Sequence, residues 1–74
     1  MDKQKRLLFK IGNRIKLRRV KINMSQKDLA EAIEVTQSEV SRLEHGETNV
    51  TVGTLDKYCK VLGLIVKVAK PKKK

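Results

Sequence analysis

Two helix-start patterns in the middle of the chain constrain its fold more than any other feature. Ser25 is followed three residues later by Asp28, and Thr36 is followed three residues later by Glu39. In each pattern the hydroxyl can accept a hydrogen bond from a backbone amide of the first turn, and the acid can bond back to the capping residue. Each pattern therefore predicts the start of a helix.

The two predicted helices are joined by a very short connection. The first is predicted over Gln26–Ile33 and the second from Gln37 to just before Gly46, which leaves only residues 34–36 between them. So short a connection makes the two helices cross steeply. The small side chain of Ala30 allows the second helix to lie close against the first at this crossing. Five apolar side chains are then predicted to point inward together: Leu29, Ile33, Val35, Val40 and Leu43.

The residues in and around these helices form a pattern that is recognisable as a whole. In the helices it consists of Gln26, Leu29-Ala30, Val35, Thr36-Gln37, Val40-Ser41, Leu43-Glu44 and Gly46. Outside them it includes Ile11-Gly12, Arg14-Ile15, Arg19, Leu55, Leu62 and Gly63. This pattern resembles the helix-turn-helix of the phage-repressor and Cro-like (XRE-type) family of DNA-binding proteins. Glu34 departs from it, because the family usually has Gly at this turn, and a left-handed Glu34 would cost about 1 to 2 kcal/mol.

The resemblance implies an all-α fold in residues 1–63, a compact bundle of four helices similar to lambda repressor. The first helix is predicted over residues 3–22, where apolar residues recur at helical spacing. Those residues are Leu8, Ile11, Ile15 and Ile22. Thr51 is predicted to cap a last helix, Val52–Leu62, which ends at Gly63. The inner face of that helix is predicted to consist of Leu55, Tyr58, Cys59 and Leu62.

The net charge of +10 points to a polyanionic partner, but the charge is unevenly distributed. Residues 1–22 contain nine Lys or Arg and one acid, and residues 57–74 contain seven Lys and no acid. Residues 23–56, which include both capped helices, contain two basic and seven acidic residues. Affinity for phosphate would therefore have to come largely from the flanks. The alternative is that the flanking lysines form only a solubilising surface.

The second helix of the motif carries the side chains that are predicted to contact bases in a DNA major groove. Away from its apolar face it has Gln37, Ser38, Ser41 and Arg42. Gln37 can bond adenine and Arg42 can bond guanine, each pair discriminating by about 1 to 3 kcal/mol. Glu39 is open to two roles, as an acceptor from cytosine or as a helix cap. Without the family resemblance, Ser38 and Ser41 would be an ordinary solvated helix surface.

A second group of residues is predicted to contact the phosphate backbone. Its members are Ser25, Gln26, Thr36, Thr48 and Asn49. Ser25 and Gln26 lie where the free amides of a helix N-terminus can meet a phosphate. The resemblance implies that the loop containing Thr48 and Asn49 runs beside the DNA backbone.

Arg19 is a charged residue on the apolar face of the first helix. The resemblance offers a reason, because in that family an arginine at this position pairs with a glutamate near the end of the recognition helix, here Glu44. A partly buried, bidentate pair would hold the two helices in one geometry and help to neutralise Glu44 close to phosphates. Arg19 and Glu44 are therefore expected to be a structural ion pair.

The sequence after the last helix has the alternation of a short β-strand over residues 64–70. A lone strand would expose unpaired amides and carbonyls, so a second copy of the chain is its simplest partner. The arrangement resembles small antitoxin-type repressors, whose last helix is followed by a strand that pairs across the dimer axis. The predicted dimerisation residues are Leu64, Ile65, Val66 and Val68. The alternative is that this strand packs over its own core; residues 71–74 are predicted to be a disordered basic tail.

The predicted function is that of a transcriptional regulator that binds double-stranded DNA, in the form of a homodimeric repressor at a palindromic operator. One alternative is an antitoxin that binds a toxin protein and regulates its own operon. An RNA-binding protein is a third option. Against it, the two aromatic residues, Phe9 and Tyr58, are predicted to lie at helix-core spacing, which leaves no base-stacking platform.

Other classes of function have little support in the sequence. No nucleophile stands beside a base and there is no glycine-rich phosphate loop, so neither an enzyme nor a bound cofactor is predicted. His45 is the only histidine, and Cys59, the only cysteine, lies at core spacing, so no metal site is predicted. No apolar run is long enough to span a membrane, and a lone cysteine fits a cytoplasmic protein.

Overall fold

The computed structural model describes residues 3–64, and this part of the chain forms four α-helices without a strand. They are α1 (Lys3–Lys21), α2 (Gln26–Ile33), α3 (Gln37–Glu44) and α4 (Val52–Leu62). The predicted all-α bundle is confirmed for these residues, with α2 and α4 at the predicted bounds. Helix α3 begins at the predicted residue and ends at Glu44, two residues before Gly46. Helix α1 ends one residue earlier than predicted. The predicted strand, apart from Leu64, and the predicted tail lie outside the described residues.

Side-chain caps determine where α2 and α3 begin. The Ser25 hydroxyl accepts from the Asp28 backbone N–H at 2.9 Å, and the Asp28 carboxylate accepts from the Ser25 N–H at 3.2 Å. Thr36 and Glu39 repeat this arrangement at 3.1 and 3.2 Å. The caps satisfy amides that have no partner within the helix. Of the two roles open to Glu39, the structure shows the capping one.

The turn between α2 and α3 passes through a left-handed residue. Glu34 has φ 61° and ψ 46°. Its backbone N–H donates to the carbonyl oxygen of Glu31 at 3.3 Å, and the N–H of Val35 donates to that of Ala30 at 3.0 Å. These bonds satisfy the last carbonyls of α2 and offset part of the left-handed cost of about 1 to 2 kcal/mol.

A single core lies between the four helices. It consists of Ile15, Leu29, Ala30, Ile33, Val40, Leu43, Tyr58 and Leu62. Half-buried side chains that pack against it include Ile11, Met24, Val35, Leu55 and Leu64. Cys59 is also buried, so the predicted inner face of α4 is confirmed.

Two residues that were predicted at core spacing are exposed instead. Ile22 is 38% exposed, because α1 ends at Lys21 and the chain then turns through Asn23 with φ 60°. Phe9 is 51% exposed. It follows Leu8 directly in α1, and one residue rotates a side chain by about 100° around a helix. The prediction that both aromatic rings are buried is therefore wrong for Phe9.

Helix α1 crosses the end of α3 at Gly12. A methyl group on Gly12 would overlap the carbonyl oxygen of Leu43 and lie 2.9 Å from the carbonyl carbon of Glu44. The atoms that it would meet belong to the backbone, so no flexible side chain can move aside. The close approach of the two helices therefore requires glycine at this position.

A buried ion pair joins the same two helices. Arg19 Nε donates to Glu44 Oε2 at 2.6 Å, and Arg19 Nη2 donates to Oε1 at 3.0 Å. Arg19 is only 9% exposed and Glu44 only 3%. Arg19 Nη1 also donates to the carbonyl oxygen of Met24 at 2.8 Å. The hydrogen-bonded Glu44 carboxylate raises the pKa of Arg19 despite the opposing effect of burial, so the guanidinium stays protonated.

Replacing Gly12 with alanine is expected to lower the free energy of unfolding by about 1 to 3 kcal/mol, because the added methyl group forces α1 and α3 apart. The corresponding fall in Tm is roughly 4 to 24 °C. Gly53→Ala is the matched control, since the nearest atom to a methyl group there is Thr51 Oγ1 at 3.9 Å and alanine favours the helix. Thermal unfolding measures both variants. Equal Tm values would contradict the close crossing at Gly12.

Replacing Arg19 with alanine is expected to lower the free energy of unfolding by about 3 to 5 kcal/mol, because Glu44 would be left buried and unpaired. The matched control is Lys60→Ala, which removes the exposed pair that Lys60 forms with Asp56 at 3.3 Å. That change should cost less than about 1 kcal/mol. Urea unfolding measures the stability of both variants. An Arg19→Ala variant as stable as the wild type would contradict the stabilising role of the ion pair.

Candidate nucleic-acid interface

Helix α3 buries one side and presents the other to solvent. Val40, Leu43 and Glu44 are buried. Gln37, Ser38 and Arg42 are exposed, and Ser41 is half-buried. These four residues occupy helix positions i, i+1, i+4 and i+5, so they form two adjacent rows along one side. The structure therefore brings the four predicted base-contact residues together.

The side chains of Gln37 and Arg42 are not held by bonds to other residues of the part that the structure describes. Neither takes part in a hydrogen bond or an ion pair with another residue in the described range 3–64. The amide of Gln37 offers both donors and an acceptor, and the guanidinium of Arg42 offers five donors. The hydrogen-bonding capacity of both is therefore available to a ligand.

The start of α2 contains two of the predicted phosphate contacts, Ser25 and Gln26, and both also form hydrogen bonds within the protein. The Ser25 hydroxyl oxygen is used as a cap, which leaves its own hydrogen able to donate. Gln26 Nε2 donates to Glu44 Oε1 at 3.0 Å, so Gln26 extends the ion pair of Arg19 into a network of three helices. Sequence reasoning missed this bond, since its residues are 18 positions apart on different helices and no local pattern links them.

The other predicted phosphate contacts lie on either side of α3 in the chain. Thr36 caps the start of α3, and its hydroxyl oxygen accepts from Glu39 N–H. Beyond the end of α3, the Thr48 hydroxyl donates to the carbonyl oxygen of Asn49 at 3.3 Å. Asn49 Oδ1 accepts from Gln4 Nε2 at 3.2 Å, a bond to the first turn of α1 that sequence reasoning also missed.

The segment after α3 packs along the N-terminal half of α1. Gly46 has φ 71°, and a methyl group on it would lie 2.7 Å from the Cα of Phe9. A cleft next to this contact is lined by Gln4, Lys5 and Leu8 on one side and by residues 46–49 on the other. Part of α1 is therefore adjacent to the loop that contains Thr48 and Asn49.

Several acidic residues in the middle of the chain have local partners. Asp28 and Glu39 accept from backbone amides at the starts of α2 and α3. Glu44 is paired with Arg19, and Asp56 lies 3.3 Å from Lys60. The negative charge of residues 23–56 is thus partly compensated within the fold, which reduces the conflict with an anionic ligand.

The remaining reactive side chains do not form a site. His45 Nδ1 donates to the carbonyl oxygen of Ser41 at 2.7 Å. Burial, with a smaller contribution from Asp56, raises the pKa of the Cys59 thiol. Within residues 3–64 no group of three or more His, Cys, Asp or Glu could hold a metal ion. None of the described helices is both long and apolar enough to cross a membrane.

Comparison with known proteins assigns this arrangement to a family. A family model described as helix-turn-helix matches residues 15–65, which include α2, α3 and both members of the buried ion pair. Among solved structures, the chain is similar to the restriction-modification controller protein C.AhdI from Aeromonas hydrophila, with a TM-score of 0.79 and 26% sequence identity. That match covers 86% of this chain and 93% of the other. No curated protein matches the chain.

The family match, the structural likeness and the exposed polar side of α3 agree with one another. Regulators with this domain bind DNA and are not enzymes as a family. The chain belongs to the XRE-type helix-turn-helix family of DNA-binding transcription regulators.

Proposed function

We propose that the protein binds a palindromic DNA operator as a homodimer and represses transcription there. The observation that carries the proposal is the polar side of α3, on which four side chains lie together outside the core. They are Gln37, Ser38, Ser41 and Arg42. An α-helix fits into the major groove of B-DNA, where each base pair presents a distinct set of donors and acceptors. The proposal assigns base reading to these residues, with Gln37 and Arg42 as the main readers.

The phosphate contacts are assigned to hydroxyl and amide groups near α3. They are Ser25, Gln26, Thr36, Thr48 and Asn49. An eight-residue helix is about 12 Å long, and the major groove is about 12 Å wide, so groups at both ends of α3 can meet the two DNA backbones. Such contacts fix the register of the protein on the duplex without reading its sequence.

A dimer is proposed because a helix as short as α3 can read only a few base pairs. Two copies related by a two-fold axis would read two half-sites about one helical turn apart. The apolar alternation of residues 64–70 offers a contact between the copies. Within it, Leu64 packs against the core of its own domain, and the rest lies outside the described residues.

The structural likeness favours a specific setting for this function, the control of restriction-modification genes. The antitoxin alternative depends on the predicted strand, and no contact among residues 3–64 favours it over operator binding. A chromosomal or plasmid operator as the target agrees with the cytoplasmic location expected from the sequence.

Replacing Gln37 with alanine is expected to relax the preference at one base pair of each half-site and to leave binding to unrelated duplexes nearly unchanged. The lost base contact is worth about 1 to 3 kcal/mol, or roughly 5- to 150-fold in affinity at that position. Selection of bound sequences from a random duplex pool at two salt concentrations measures the preference. Thr48→Ala is the control, because loss of a phosphate contact weakens all sequences alike. If the Gln37→Ala variant keeps the wild-type base preference at every position, Gln37 does not read a base directly.

Deleting residues 65–74 is expected to give a monomer in sedimentation experiments, while the deletion retains Leu64 and thus the described core. Affinity for the operator should fall by about 10² to 10⁴, because the two half-sites are no longer bound together. Deleting only residues 71–74 is the control, since it removes three lysines and keeps the predicted strand. A dimer that survives the longer deletion would contradict the strand proposal.

A further inference from the structure

We propose that Lys5 and Lys16 of α1 bind two phosphates of the DNA strand that passes the C-terminal end of α3. The inference rests on the proposed function, because it takes α3 in the major groove as its starting point. Part of the electrostatic affinity for DNA is thereby assigned to one side of α1. The other lysines of α1 are not expected to contact these two phosphates.

The first argument is the side of α1 on which these residues lie. Lys5, Gly12, Lys16 and Arg19 occupy positions i, i+7, i+11 and i+14, which fall in one stripe along a helix. Gly12 contacts the last carbonyl groups of α3, and Arg19 is paired with Glu44. The stripe therefore runs along the side of α1 that packs on α3. Of its two exposed lysines, Lys5 lies on the N-terminal side of that contact and Lys16 lies between Gly12 and Arg19.

The second argument is the neighbourhood of Lys5. It lines the cleft between α1 and residues 46–49, the segment that contains the proposed phosphate contacts Thr48 and Asn49. The bond from Gln4 to Asn49 fixes the first turn of α1 against that segment. Glu47 lines the same cleft, so the cleft contains a carboxylate as well as the ammonium group of Lys5.

The spacing of the two lysines agrees with a DNA backbone. Eleven residues of helix separate them, a rise of about 16 Å. Phosphates of one strand are about 3.4 Å apart along the duplex axis and further apart along the strand itself, so 16 Å spans several of them. Two flexible lysine side chains at this separation can bind two phosphates of one strand without competing for the same one.

The experiment compares two double variants of the full chain. Lys5→Gln with Lys16→Gln removes the proposed contact, and Lys3→Gln with Lys10→Gln removes the same charge from a different side of the same helix. Glutamine has a helix propensity close to that of lysine, so both should keep the fold, which a Tm measurement checks. Binding to the selected duplex is measured as a function of salt concentration.

The Lys5 and Lys16 variant is expected to lose about two units from the slope of log affinity against log salt and about tenfold or more in affinity at physiological salt. Its preference between sequences should be unchanged, and the Lys3 and Lys10 variant should keep nearly the wild-type slope. If both double variants lose the same amount of salt slope and affinity, or if the Lys5 and Lys16 variant loses none, this inference is wrong and the proposed function is unaffected. A wild-type protein without any preferred duplex would overturn the proposed function and, with it, this assignment.

Discussion

The bidentate bond between Arg19 and Glu44 is the interaction on which the position of α3 depends. Two charges can be buried only if both are paired and their remaining donors and acceptors are satisfied. Here the carbonyl of Met24 and the side-chain amide of Gln26 complete the network. Because the guanidinium and the carboxylate are both planar, the pair tolerates little rotation, and α1, α2 and α3 are held in one mutual geometry.

This support matters because α3 could not persist alone. A helix of eight residues is too short to be stable in water, so its existence depends on its caps and on the core. Thr36 and Glu39 fix its start, and Glu44 fixes its end. Between these points the outward side chains of Gln37 and Arg42 make no bond to another described residue. Such a helix can place adaptable groups against base edges at a defined depth and angle.

The sequence predicted the elements that local rules govern. Caps act over three residues, so Ser25, Thr36 and Thr51 located the helix starts correctly, and Gly63 located the last end. The sequence did not predict the contacts that form only when the helices pack together. The bonds from Gln26 to Glu44 and from Gln4 to Asn49 join residues 18 and 45 positions apart. Helical spacing also failed at Ile22, because periodicity continues in a sequence after the helix itself has ended.

In the proposed complex, affinity and discrimination are carried by different parts of the protein. Several acids of the middle segment are used as caps or in pairs, which reduces their repulsion of DNA. Sixteen of the 18 Lys and Arg residues lie in residues 1–22 and 57–74. Phosphate attraction weakens steeply as salt rises, whereas a hydrogen bond between an amide and a base edge releases no counterions. A change in salt should therefore alter how tightly the protein binds all duplexes far more than it alters which duplex it prefers. That separation distinguishes a sequence reader supported by cationic flanks from a helical bundle that merely adheres to polyanions.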